Sequence, residues 1–174
     1  MRLAKKVVSV DLCGFAALLL APEPSMGSDE RMSDEDDLLT GSYEIRLDRP
    51  IEEVWAFLTD LPTTGRWRQR MNVSWVDPGR TFVVTSAFGP WRKMTMTGEV
   101  TASEPPRRFA YGIVDGALRA RNEYLLEPDG DGTRFTMSGG AAMGRVTRLL
   151  GPVLRRAYGR TTRNELRRLQ ELLA

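Results

Sequence analysis

Residues 49–67 read RPIEEVWAFLTDLPTTGRW. Pro50 suits the first turn of a helix, where its missing N–H costs nothing, and Glu52 and Glu53 complement the positive end of the helix dipole. Ile51, Val54, Trp55 and Leu58 recur at i, i+3, i+4 and i+7, so one face is apolar for two turns. Leu61-Pro62 then stops the helix, because the residue before a proline is pushed out of the helical region. Residues 63–70 form a second short turn that carries Trp67.

Working outward, residues 42–48 alternate Tyr43, Ile45 and Leu47 with Glu44, Arg46 and Asp48, the period-two pattern of a strand with one wet face. Downstream, turn residues recur at Asp77-Pro78-Gly79, Gly89-Pro90, Glu104-Pro105-Pro106, Asp115-Gly116 and Asp129-Gly130-Asp131-Gly132. Between them lie six β-rich runs at 72–76, 81–88, 91–102, 108–114, 118–127 and 133–138, predicting six antiparallel strands on short loops. Residues 144–174 read as a long basic helix with Leu149, Val153, Leu154, Ala157, Leu166, Leu169, Leu172 and Leu173 as its apolar stripe, and Gly151-Pro152 kinks or restarts it. From 152 to 173 it spans roughly 33 Å, enough to cross a seven-stranded sheet.

The run Leu47-Asp48-Arg49-Pro50-Ile51-Glu52-Glu53-Val54-Trp55-Ala56-Phe57-Leu58-Thr59-Asp60, followed by Trp67, resembles the opening of the polyketide cyclase/dehydrase and lipid-transport group of the START-like (SRPBCC) superfamily. Pro105-Pro106-Arg107-Arg108-Phe109 and the Glu127-to-Arg134 turn are similar too. The resemblance covers about residues 42–174. It implies an α+β helix-grip fold: a seven-stranded curved antiparallel sheet, two short helices after the first strand, and a long C-terminal helix closing over a cavity.

Strand parity, fixed by the apolar residues, turns Met94, Met96 and Val100 inward with Arg92. On the same reasoning Phe109, Tyr111 and Ile113, then Asn122, Tyr124 and Leu126, then Phe135 and Met137 face the same interior. The ligand-binding candidates are therefore Trp67, Arg92, Met94, Met96, Tyr111, Asn122, Tyr124 and Met137. Methionines adapt to irregular apolar shapes, and two readings stand for them, core packing and ligand contact. Arg92, Tyr111, Asn122 and Tyr124 suit hydrogen bonding to a carbonyl or phenol, or else sit at a rim. Of the four tryptophans, Trp67 is best placed as a lid and Trp55 as core.

The 174-residue chain has no histidine and a single cysteine, Cys13. That excludes a disulfide framework, a zinc site, a histidine-ligated haem and Ser/His or Cys/His catalysis; it also excludes the superfamily's oxygenase branch, which needs histidine ligands for iron. A cyclase or dehydrase needs a base, and parity turns Glu99 and Glu123 outward, leaving the catalytic residues unassigned. The expected function is thus binding or carrying a small hydrophobic ligand, such as a polyketide, fatty acid or aromatic, with no cofactor and no metal. The alternatives are a polyketide cyclase/dehydrase in the same cavity and an interaction module resembling the Hsp90-activator branch.

The net charge of +2 does not argue for nucleic acid. Between Arg145 and Glu171, however, eight arginines face two glutamates, a local charge of +6 that suits weak contact with an anionic membrane surface, or simply coats the helix's solvent face. Residues 1–41 form an expected leader, apolar and then acidic, ahead of a domain at 42–174. Asp11 interrupts the apolar run 7–21 and argues against a span, while Ser28–Asp37 carries six acids against one arginine. The leader is read as disordered, or as lying upstream of a start at Met26 or Met32, and the protein as cytoplasmic; if residues 1–25 act as a signal, it is exported or membrane-associated.

Overall fold

The computed structural model describes residues 38–68, 71–88, 92–116, 119–142 and 151–174. Strand β1 (Leu38–Leu47) leads into α1 (Ile51–Thr59), a 3₁₀ turn (Leu61–Thr63) and α2 (Thr64–Trp67). Six strands follow: β2 (Met71–Asp77), β3 (Thr81–Phe88), β4 (Arg92–Glu104), β5 (Arg108–Asp115), β6 (Ala120–Asp129) and β7 (Gly132–Ala142). Helix α3 (Gly151–Leu172) closes the chain. The seven strands make one antiparallel sheet in the order β1-β7-β6-β5-β4-β3-β2, so the first strand returns to pair with the last. This is the predicted α+β helix-grip architecture, with its curved sheet, two short helices and terminal helix.

Helix α1 forms where the capping pattern predicts, with Pro50 at its N-cap and Glu52 and Glu53 in its first turn. It buries Ile51, Val54 and Leu58. Thr63 ties the following break together by donating its hydroxyl to the carbonyls of Phe57 and Asp60. Strand β1 begins at Leu38, earlier than the alternating pattern, because β7 runs on to Ala142 and pairs with Leu38–Gly41 through backbone bonds that need no apolar side chain. Helix α3 begins at Gly151; the predicted helical residues 144–150, like the predicted leader 1–37, lie outside the described residues. No helix among the described residues is long and apolar enough to cross a membrane.

Inward-facing residues of neighbouring strands line up in rows across the sheet. One row is Tyr43–Met137–Tyr124–Phe109 and the next is Gly41–Gly139–Asn122–Tyr111. The core gathers over the first row, where α1, α2 and the second half of α3 bring Leu58, Trp67, Leu166 and Leu169 onto the aromatic rings. The C-terminal end of α3 is fastened to the sheet corner. Gln170 donates to the Arg46 carbonyl at 2.9 Å, and Arg49 donates to the Leu173 and Ala174 carbonyls.

Candidate functional site

Residue 68 follows α2 immediately, where the chain leaves the helix in an extended conformation. This geometry turns Arg68 into the space between sheet and α3 and leaves it only 7% exposed. Its Nη1 donates to the Tyr111 hydroxyl at 3.2 Å and its Nη2 to the Met137 sulfur at 3.1 Å, so the guanidinium bridges both inward rows. Its Cζ lies 5.0 Å from the Trp67 ring centre, a cation–π contact. From α3, the Glu165 carboxylate stands 3.9 Å from Nε, close enough to attract but too far to accept a hydrogen bond. Nε is buried and makes no hydrogen bond among the described residues.

The Tyr111 and Tyr124 hydroxyls are 2.9 Å apart. One of their two protons is used between them, so the other remains free to donate. The cluster therefore carries donors to spare, among them Arg68 Nε–H and one phenolic O–H, inside an apolar shell of Trp67, Phe109, Phe135 and Leu166. A buried donor left unmatched costs about 1–3 kcal/mol, more when charged.

Desolvation works against the Arg68 charge, but attraction to Tyr111, Tyr124 and Glu165 outweighs it and holds the group well above its ordinary value. Arg68 is a permanent cation. Burial is the largest influence on Tyr124 and pushes its phenol well above the usual tyrosine range, against the pull of Arg68. Burial raises Tyr158, across the cluster on α3, in the same way. Neutral phenols with raised pKa values are hydrogen-bond donors rather than bases.

Trp67, Met96, Tyr111, Tyr124 and Met137 are all buried in the common core, and Met94 packs half-buried against it. Trp67 is 1% exposed, with its ring centre 6.4 Å from that of Tyr124. Asn122 is half-buried beside Gly139, in the row that ends on Tyr111. Arg92 opens β4 opposite Phe88, and its side chain lies outside the described residues. Sequence parity assigned the tyrosines to this interior but missed Arg68 and Glu165. Arg68 sits in a turn, where an arginine reads as solvated, and Glu165 belongs to a basic helix whose charges read as its wet face. The available signal was adjacency: Arg68 directly follows the Trp67 that anchors the turn.

The outer face of the sheet is chemically distinct. Glu99 is exposed, and Glu123 accepts from Arg108 Nε at 2.7 Å, so neither reaches the interior. A groove of about 1100 Å³ crosses this face over Ser42, Ser138, Ala110 and Thr101. Its lining also includes Gly41, Tyr111, Asn122 and Gly139 from the second inward row. Among the described residues no cluster of histidine, cysteine and carboxylates is arranged to hold a metal.

Solved structures share this fold. A START superfamily protein from Mycobacterium smegmatis superposes with a TM-score of 0.64 at 12% identity, over 77% of this chain and 96% of its own. TTHA0849 from Thermus thermophilus gives 0.64 at 17% identity, over 76% of this chain and 94% of its own. DR_A0006 from Deinococcus radiodurans gives 0.61 at 20% identity, over 76% of this chain and 95% of its own. No curated protein matches the chain. The family profile described as polyketide cyclase / dehydrase and lipid transport matches residues 39–174, most of the sequence, with the helix-grip topology laid over that span. The chain belongs to that family.

Proposed function

We propose that the protein binds a small hydrophobic molecule carrying an acceptor oxygen, a carbonyl or a phenol, between the inner face of the sheet and α3. Family membership and the START-like fold support hydrophobic-ligand binding in general. The observation that carries the finer reading is the pair of unused donors at Arg68 and the Tyr111–Tyr124 hydroxyls, set in an otherwise apolar interior. A carbonyl or phenol oxygen supplies the lone pairs that either donor lacks. The inner row Gly41–Gly139–Asn122 carries less side-chain volume than the neighbouring aromatic row, with the Tyr43 ring lying over Gly41 and the Asn122 amide over Gly139. Burying about ten methylenes of such a guest supplies roughly 8 kcal/mol, a micromolar affinity before the costs of association.

The test begins with native mass spectrometry of the purified protein for a retained apolar molecule. A medium-chain methyl ketone and the alkane of equal length are then titrated against tryptophan fluorescence. The ketone binds more tightly in the natural protein, and both Tyr111→Phe and the pair Arg68→Met/Glu165→Gln lower its affinity by about tenfold, roughly one lost hydrogen bond. The alkane is indifferent to these changes. Absence of binding by either compound overturns the reading.

A further inference from the structure

Helix α3 has two chemically different flanks. Gly159, Thr162, Leu166 and Leu169 are buried against the sheet, whereas Arg156, Arg160, Arg163 and Arg167 are exposed. Steps of four, three and four residues set these guanidinium groups in one line along the helix, over about 17 Å at 1.5 Å per residue. Among the described residues none of the four forms an ion pair. Three arginines of the sheet are matched instead, although Arg121 on β6 is exposed and forms no ion pair among the described residues. Arg46 is met by Asp48, Asp129 and Asp131, Arg108 by Glu104 and Glu123, and Arg134 by Glu44, Glu127 and Asp129. The helix has carboxylates of its own, but Glu165 faces inward to Arg68 and Glu171 pairs with none of the stripe.

We infer that this arginine stripe docks the protein on an anionic phospholipid surface. Like charges one helical turn apart repel, so the line opposes the helix that carries it until an external anion answers it. Planar guanidinium forks bind phosphate in a bidentate manner, and each one near an anionic leaflet adds to the attraction. Among the described side chains, the exposed residues flanking the stripe are Asn164, Arg168, Gln170 and Glu171, none of them aromatic for stacking on bases or apolar for insertion. Docking is therefore electrostatic and reversible by salt. The choice of lipid over a nucleic acid backbone rests on the proposed hydrophobic ligand, which partitions into bilayers.

Co-sedimentation of the full chain with vesicles of phosphatidylcholine and phosphatidylglycerol, beside vesicles of phosphatidylcholine alone, tests the inference. Binding to the anionic vesicles at low salt is expected, with its loss at about 0.5 M salt, where charges are screened within a few ångströms. Arg160→Glu/Arg163→Glu weakens binding by at least about tenfold, and Arg160→Lys/Arg163→Lys retains it. Both positions are exposed, and the charge-reversal variant binds the methyl ketone as the natural protein does. No binding to anionic vesicles at low salt, equal binding to neutral vesicles, or equal binding of the charge-reversal variant overturns the inference. Tighter retention by duplex DNA than by vesicles also overturns it, reassigning the stripe to nucleic acid. Vesicle binding without ketone binding leaves the stripe's role standing and removes only the interior reading.

Discussion

Arg68 is the residue on which the chemistry turns, and its neighbours leave it incompletely matched: one hydroxyl, one sulfur, one indole face and one carboxylate beyond hydrogen-bond reach. Arg68→Met removes the donor to the Tyr111 hydroxyl and the Met137 sulfur and is expected to cost about 2 kcal/mol in urea unfolding. An unchanged urea midpoint would show that the buried guanidinium contributes nothing net to the fold. Tyr124 gives a pH signature. Its folded pKa is raised by burial, so above about pH 10 the unfolded chain releases the proton and the folded chain keeps it. Stability is therefore full below that pH and falls as pH rises above it, and Tyr124→Phe flattens the alkaline fall of the urea midpoint. Tyr111 and Tyr124 were legible as interior groups from strand parity alone. Arg68 was not, because nothing local distinguishes an arginine folded beneath a helix from one in water; its burial is decided by α3, nearly a hundred residues later in the chain.

At the scale of elements, periodicity was an effective guide. The seven strands and α1 follow from alternation, proline placement and turn residues, since each of those signals is a backbone constraint acting over a few residues. The ends of β1, β4 and β7 run past the side-chain pattern because backbone pairing continues where neither face needs apolar residues. Packing between elements was not legible in the same way. Gly98, inside β4 at a register shift, is an example: a Cβ there would stand 2.3 Å from the Phe82 ring, which is 1% exposed and stacked edge-on to Tyr111. Gly98→Ala forces a core ring to move and is expected to cost about 2 kcal/mol, read as a lower urea midpoint with an unchanged slope. A neutral substitution would mean that the ring has room to yield. On α3, the buried Gly159 sits where an added Cβ would stand 3.1 Å from the Tyr43 hydroxyl, so the helix and the edge strand approach too closely there for a larger residue.

The whole molecule divides its polar chemistry between two sides of one sheet. On the outer face Arg108 is matched by Glu104 and Glu123; among the described residues of the interior, the Arg68 guanidinium and the Tyr111 and Tyr124 phenols stand among aromatic rings with donors to spare. The most direct test of that division follows the Arg68 Nε–H resonance in a proton–nitrogen spectrum while the methyl ketone is added. An oxygen accepting from Nε moves this resonance downfield in proportion to occupancy, together with the Trp67 indole N–H and the backbone amide of Met137. An unchanged Arg68 signal, with shifts confined to groove residues such as Gly112 and Gly140, would place the ligand on the outer face and contradict the account.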